Sequence, residues 1–175
     1  MHKAFVQHVR AITKGCRHPH HTIAALELNG FRKIGAGALK QVYQNEKHPE
    51  WVVKVFRKRF MWYWDHSTCG IIPKAIQKFW LKNVFVSRRY VIQPFANRVG
   101  GTDAEASKWF KRKFNGKEYP KFDIYVHNTR YHDGNPVIVD FTDRIGKNHP
   151  KYRWPRLEPL EGAWQLPEVW YNVPR

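Results

Sequence analysis

Residues 31–56 read Phe31-Arg32-Lys33-Ile34-Gly35-Ala36-Gly37-Ala38-Leu39-Lys40-Gln41-Val42-Tyr43-Gln44-Asn45-Glu46-Lys47-His48-Pro49-Glu50-Trp51-Val52-Val53-Lys54-Val55-Phe56. Aromatic and β-branched residues dominate three short runs, separated by the glycine turn Gly35-Ala36-Gly37 and by the polar segment 45–49. Such residues suit a pleated, half-buried surface, and glycine and polar clusters mark turns between strands. Three strands are therefore expected at 31–34, 41–43 and 51–56, joined as an antiparallel meander. Lys54 lies between Val53 and Val55 in the third run. A cation there either lines an exposed face or reaches an anionic ligand such as a phosphate.

Upstream, Phe5, Val6, Val9 and Ile12 recur at helical spacing over residues 3–13, and Gly15 ends the pattern. A second, more apolar helix begins near Thr22 and stops at Asn29-Gly30, two residues that tolerate a left-handed backbone. Downstream, Pro73 can open a helix reaching Leu81, with Ile76, Phe79 and Trp80 as its buried stripe. Residues 84–86 and 90–93 flank Ser87-Arg88-Arg89 as a further hairpin, and residues 94–101 form a hinge-like connection. Thr102 and Glu105 make a capping box at the head of another helix, whose inner face is Ala106, Trp109, Phe110 and Phe114 and whose stop is Asn115-Gly116. Asp133-Gly134 is a tight-turn signal between two short apolar runs, the second of which, 137–139, ends at Asp140. The pattern predicts one α+β domain over the whole chain: N-terminal helices (1–30), an antiparallel-sheet lobe with a helix (31–93), a hinge, helix and loop region (94–143), and an irregular tail rich in Pro and Trp (144–175).

The chain has 175 residues, 42% of them apolar and 15% aromatic, sufficient for one good core. Lys and Arg number 31 against 14 Asp and Glu, a net charge of +17. Such a field attracts phosphates, acidic proteins or nucleic acid. Cys16 and Cys69 are too few for a disulfide framework and fit a reduced compartment. Polar residues interrupt the first turns, so no signal peptide is expected, and no stretch is apolar enough to span a bilayer. A cytoplasmic location follows, in whatever cell the chain occupies.

The chemistry-bearing residues fall in order. Gly35 and Gly37 would let a backbone approach nucleotide phosphates, with Val42 on the adenine side and Lys54 following on the third strand. Asp123, Asn128 five positions on, and Asp140 in Pro136-Val137-Ile138-Val139-Asp140-Phe141 supply a carboxylate for a hydroxyl proton and two hard oxygen donors for a cation. A carboxylate at the end of an apolar strand needs a partner or a metal. Each residue alone is explained by ordinary turn or loop polarity; together, in sequence, they are not.

On these residues, from Gly30 to Asp140, the chain resembles the protein-kinase-like superfamily, and within it the small early serine/threonine kinases of short-tailed lytic coliphages. The resemblance spans roughly residues 22–143. It implies a minimal kinase-like fold with a truncated C-lobe, and ATP with Mg2+ as cofactors. It also implies Asp123 as the base, Asn128 and Asp140 as metal ligands, and Gly35, Gly37, Lys40, Val42 and Lys54 as the nucleotide site. The substrate would be Ser or Thr of a protein, or the chain itself.

Several positions depart from that pattern. Lys40 replaces the third glycine of the loop, Phe122 and Tyr125 stand where Arg and Lys are usual, and Thr142 replaces the Gly after Asp-Phe. The segment 73–81 has no Glu to pair with Lys54. An alternative expectation is thus a catalytically weak kinase-like binder that grips nucleic acid or an acidic host protein. Its means would be the basic clusters Arg57-Lys58-Arg59, Arg88-Arg89 and Lys111-Arg112-Lys113, with nearby aromatic rings. Cys16, His18, His20 and His21, with His66 and Cys69, do not match a zinc-finger spacing and read as loop polarity.

Overall fold

Val52, Val53, Lys54, Val55 and Phe56 are all buried, which places the third strand of the meander inside a sheet covered on both faces. The computed structural model describes residues 2–37, 39–58, 77–114 and 126–140. Within them, β1 (Phe31–Ala36), β2 (Lys40–Asn45), β3 (His48–Phe56), β4 (Phe85–Val86) and β5 (Tyr90–Pro94) form a five-stranded sheet in the order β1-β2-β3-β5-β4. Every pairing in it is antiparallel. The architecture is α+β. The three expected strands of the meander are present but longer, and the polar segment contracts to a tight turn at Glu46-Lys47, with a register shift between Gln44 and Asn45. Asn45 makes this possible, since its Oδ1 accepts the Lys47 N–H at 2.9 Å while its Nδ2 donates to the Asn29 carbonyl at 3.0 Å.

Side chains alternate across a strand, so register decides which face each residue joins. Val53 and Val55 share one face with Tyr43, Tyr90 and Ile92. Against it pack α1 (His2–Ile12), through Phe5 and Val9, and α2 (Pro19–Leu28), through Leu26. Helix α2 starts earlier than its apolar pattern implies, because Pro19 sits in the first turn, where no amide hydrogen is lost. Arg89 fixes the end of α1 to the β4–β5 turn by donating to the carbonyls of Thr13, at 3.0 Å, and Cys16.

The opposite face is different in kind. Lys40 stands across from Phe56, Val42 across from Lys54, Lys54 across from Val91, and Val52 across from Gln93. Cross-strand partners project to the same side, so this face carries Lys40, Val42, Lys54 and Gln93 together.

The second half is built on α3 (Asp103–Lys113), a 3-10 turn (Val126–Asn128) and a two-stranded sheet of β6 (Thr129–His132) and β7 (Asn135–Ile138). The capping box is formed: Thr102 Oγ1 accepts the Glu105 N–H at 3.2 Å, and Glu105 Oε2 accepts the Thr102 N–H at 2.7 Å. Asp133 and Gly134 have φ of 48° and 76°, the left-handed pair that a two-residue hairpin turn of this twist requires. Trp80, Phe110 and Ile138 form a small core edged by Phe79, Trp109 and Phe114, whose rings meet largely edge to face.

Among the described residues, backbone pairing joins the halves at two places. The expected helix 73–81 is described only from Gln77 onward, and the chain has left helical structure by Trp80, which instead forms a parallel bridge with Ile138. Phe79 accepts the Ile138 N–H at 2.8 Å, and Leu81 donates to the Ile138 carbonyl at 3.0 Å. Backbone pairing with a strand has overridden the helical stripe here. At the other end, the connection after β5 is tied to the β6–β7 turn. Gly134 donates to the Val99 carbonyl at 2.8 Å, Arg98 donates to that of Tyr131 at 3.0 Å, and Asn97 Nδ2 donates to Asp133 Oδ1 at 2.6 Å. A Cβ on Gly100, whose φ is 111°, would lie 2.7 Å from the Gly134 Cα, so this approach demands glycine.

Candidate functional site

The end of β7 lies against the sheet face that carries the lysines. Lys40 Nζ donates to Asp140 Oδ1 at 2.8 Å, and Lys54 Nζ donates to the Val139 carbonyl at 2.5 Å. Val139 in turn donates its N–H to the Asn128 carbonyl at 2.9 Å. Lys40, Lys54, Asn128 and Asp140, drawn from four separate parts of the sequence, therefore meet at one place. Val42, across from Lys54 on β2, lies beside them.

The glycine turn closes one side of this place. Gly37 donates to the Lys40 carbonyl at 2.8 Å, and Arg57 Nε donates to the Gly37 carbonyl at 2.8 Å. A register shift falls between Lys33 and Gly35, and Gly35 pairs with Val42. A Cβ would meet only Val42 carbons at 3.9 Å from Gly35, and only the Lys40 carbonyl at 4.0 Å from Gly37. Among the described residues, packing does not require glycine at either position.

The electrostatics are uneven. Lys40, Lys54 and Asn128 are buried, and Asp140 keeps a third of its side chain exposed. Two ammonium groups reach a two-residue segment, Val139-Asp140, that contributes one carboxylate. A buried cation is costly unless paired and hydrogen-bonded, and these contacts supply such partners to both ammonium groups. Asn128 and Asp140 offer an amide and a carboxylate oxygen, the hard donors that magnesium takes when substrate oxygens and water complete its shell. By donor type the pair suits magnesium, and the backbone bond from Val139 to the Asn128 carbonyl joins their segments.

The residues expected for the site divide clearly. Gly35, Gly37, Lys40, Val42, Lys54, Asn128 and Asp140 are brought together, whereas Asp123 lies outside the described residues, as do Phe122, Tyr125 and Thr142. The Val139 carbonyl was not legible as a partner for Lys54, because a backbone acceptor leaves no mark in a sequence. Gln93 was also missed: it shares the lysine face and donates to the Leu81 carbonyl, bracing the segment that meets Ile138.

Among the described residues, no three His, Cys, Asp or Glu side chains come together to hold a metal. His18, His20 and His21 pack ring on ring, with centroids 4.2 to 5.6 Å apart. His66 and Cys69 lie outside the described residues.

A second charged region lies on the far side of the sheet. Arg10, Lys14 and Arg17, at and just beyond the end of α1, are exposed, as is Arg88 in the β4–β5 turn that Arg89 ties to α1. Arg10 lies over the Phe85 ring at 5.7 Å. No Asp or Glu occurs in residues 1–26 or 66–102. Among the described residues, no helix is long and apolar enough to cross a membrane. The chain matches no protein-family model and no curated protein sequence.

Proposed function

We propose that the chain is an ATP- and magnesium-dependent phosphotransferase of the protein-kinase-like type, with a minimal kinase-like fold and Ser or Thr of a protein, or of the chain itself, as acceptor. The observation that carries this reading is the meeting of Lys40 and Lys54 with the Asn128 and Val139-Asp140 segments. Two cations, the segments that carry two oxygen donors for magnesium, and an unforced glycine turn lie together, as a bound triphosphate would need.

Each residue has a role in that reaction. Gly35 and Gly37 admit the phosphates close to the loop backbone. Lys54, oriented by the Val139 carbonyl, and Lys40 contact phosphate oxygens as point charges. Val42 covers one side of the base. Asn128 and Asp140 would hold Mg2+, which offsets negative charge on the transferring phosphoryl group. Asp123 is the base that accepts the acceptor hydroxyl proton. Lys54 needs no helix glutamate to hold it if the Val139 carbonyl does so, which answers the departure noted in residues 73–81.

Incubation with γ-labelled ATP and Mg2+ tests the reading, comparing the unaltered chain with Asp123→Ala and Asp140→Asn. Labelling of the chain or of an added protein that is lost in both variants is the expected result. Labelling that persists in both would remove the site.

A second function is favoured by one observation, the exposed basic side chains of Arg10, Lys14, Arg17 and Arg88, which come from stretches of sequence that hold no Asp or Glu. Such charge suits a phosphate backbone or an acidic protein surface. A gel shift with single- and double-stranded nucleic acid over a salt series tests it. Binding that weakens steeply with salt and is reduced by Arg10→Ala with Lys14→Ala supports it.

A further inference from the structure

We infer that Lys40 is an internal stand-in for the metal: in the nucleotide-free chain its ammonium occupies Asp140, and it turns to phosphate only when a magnesium nucleotide arrives. This rests on the nucleotide site proposed above and adds a rule for how that site is loaded.

The geometry is specific. Lys40 sits at the first residue of β2, directly after the glycine turn, and its Nζ is 2.8 Å from Asp140 Oδ1. Its side chain is only 4% exposed, so the pair is largely withdrawn from water on the lysine side. A carboxylate oxygen that accepts a hydrogen bond from an ammonium has lost much of its attraction for a second cation, because the two positive charges then repel at short range. Asp140, one third exposed, remains reachable from solvent. Lys40 is also part of the glycine turn. Its carbonyl accepts the Gly37 N–H, so the backbone that positions Lys40 belongs to the loop that would border the phosphates. Lys54 has an anchor of its own in the Val139 carbonyl, which holds it in place during the exchange.

The consequence is ordered loading. Metal alone is disfavoured at Asp140 because Lys40 already neutralises it. Nucleotide phosphate draws Lys40 away, and the carboxylate then becomes available to the cation that accompanies the nucleotide. Lys40 is a positioning and gating residue in this scheme, and a lysine where a third glycine would stand is its means.

The test needs no turnover. Mn2+ alone, without nucleotide, is titrated into the full-length chain and into Lys40→Met, Lys40→Arg and Asp140→Asn, with free Mn2+ followed by its electron paramagnetic resonance signal. Circular dichroism and melting curves establish that each variant folds. Lys40→Met is expected to bind Mn2+ at least about tenfold more tightly than the unaltered chain, Lys40→Arg to remain weak, and Lys40→Met combined with Asp140→Asn to lose the gain. Equal Mn2+ affinity in the unaltered chain and in Lys40→Met, or no Mn2+ binding by Lys40→Met at all, overturns the inference. Binding of a fluorescent ATP analogue with Mg2+, measured on the same samples, separates this failure from that of the site itself. Analogue binding that Asp140→Asn weakens retains the nucleotide site without the gate, and its absence removes both.

Discussion

The two faces of β3 are made from neighbouring residues and serve opposite ends. Val53 and Val55 point into a dry layer sealed by α1 and α2, where Phe5, Val9 and Leu26 meet Tyr43, Tyr90 and Ile92. Val52, Lys54 and Phe56 point the other way, to a face that also carries Lys40, Val42 and Gln93. On the first face, stability comes from apolar area removed from water, about 1.5–3 kcal/mol for each fully buried large side chain. On the second, burial of charge is a cost that partners just beyond β7, Val139 and Asp140, help to offset. The lesson is that a site can be placed by a sheet whose stability it does not supply.

The comparison breaks most visibly at Lys54. Lys54→Met keeps volume and removes a buried charge, so the melting temperature should change little, while phosphoryl transfer should fall roughly 10²–10³-fold, the loss seen when one electrostatic contact to a transition state is removed. Side-by-side labelling rates and thermal melts check this; a large drop in melting temperature would give Lys54 a structural role instead. On the helix-covered face the opposite is expected. Leu26→Ala, at a side chain with no exposure, should cost about 2–5 kcal/mol in urea unfolding and leave the labelling rate per folded molecule unaltered.

A smaller effect sharpens the picture at the seam. Gly100→Ala forces a Cβ against the Gly134 backbone at a left-handed φ, and about 1–3 kcal/mol of stability should be lost. Hydrogen exchange should show the loss as faster exchange at Gly134, with β3 amides still protected. The smallest effect is at the capping box, where Thr102→Ala should cost about 1 kcal/mol. Hydrogen bonds from the Thr102 N–H and then its hydroxyl hold the Glu105 carboxyl below its ordinary value. The unfolded chain therefore binds that proton more readily, so the contribution is present above pH 4.5 and is lost as pH falls through the lowered folded value. Acid titration of Glu105→Gln should show a shallower loss of stability over that window.

Local chemistry was legible in the sequence where it is self-contained. The meander, the Thr102–Glu105 box and the Asp133-Gly134 turn each depend on a few adjacent residues, and each is present. Boundaries slipped where a side chain supplied an unforeseen partner, as Asn45 did in tightening the β2–β3 turn. Trp80 fits a helical stripe and yet pairs with Ile138, because a strand edge 58 residues away offers its backbone more than another helical turn would. The site residues were legible as types in order; their meeting was not. Nothing in the spacing tells Lys40 that its partner is Asp140, a hundred positions on.

The β6–β7 hairpin is held at both of its ends. Its turn is fastened to Asn97 and Val99, and its open end to Phe79, Leu81, Lys54 and Lys40. In engineering terms it is a beam resting on two supports, not a cantilever. Loosening either support would tilt Asp140 without touching it. Changes at Asn97, far along the hairpin from the carboxylate, would then reach the chemistry by leverage, and the connection after β5 would act less as a free hinge than as the fulcrum on which the aspartate is balanced.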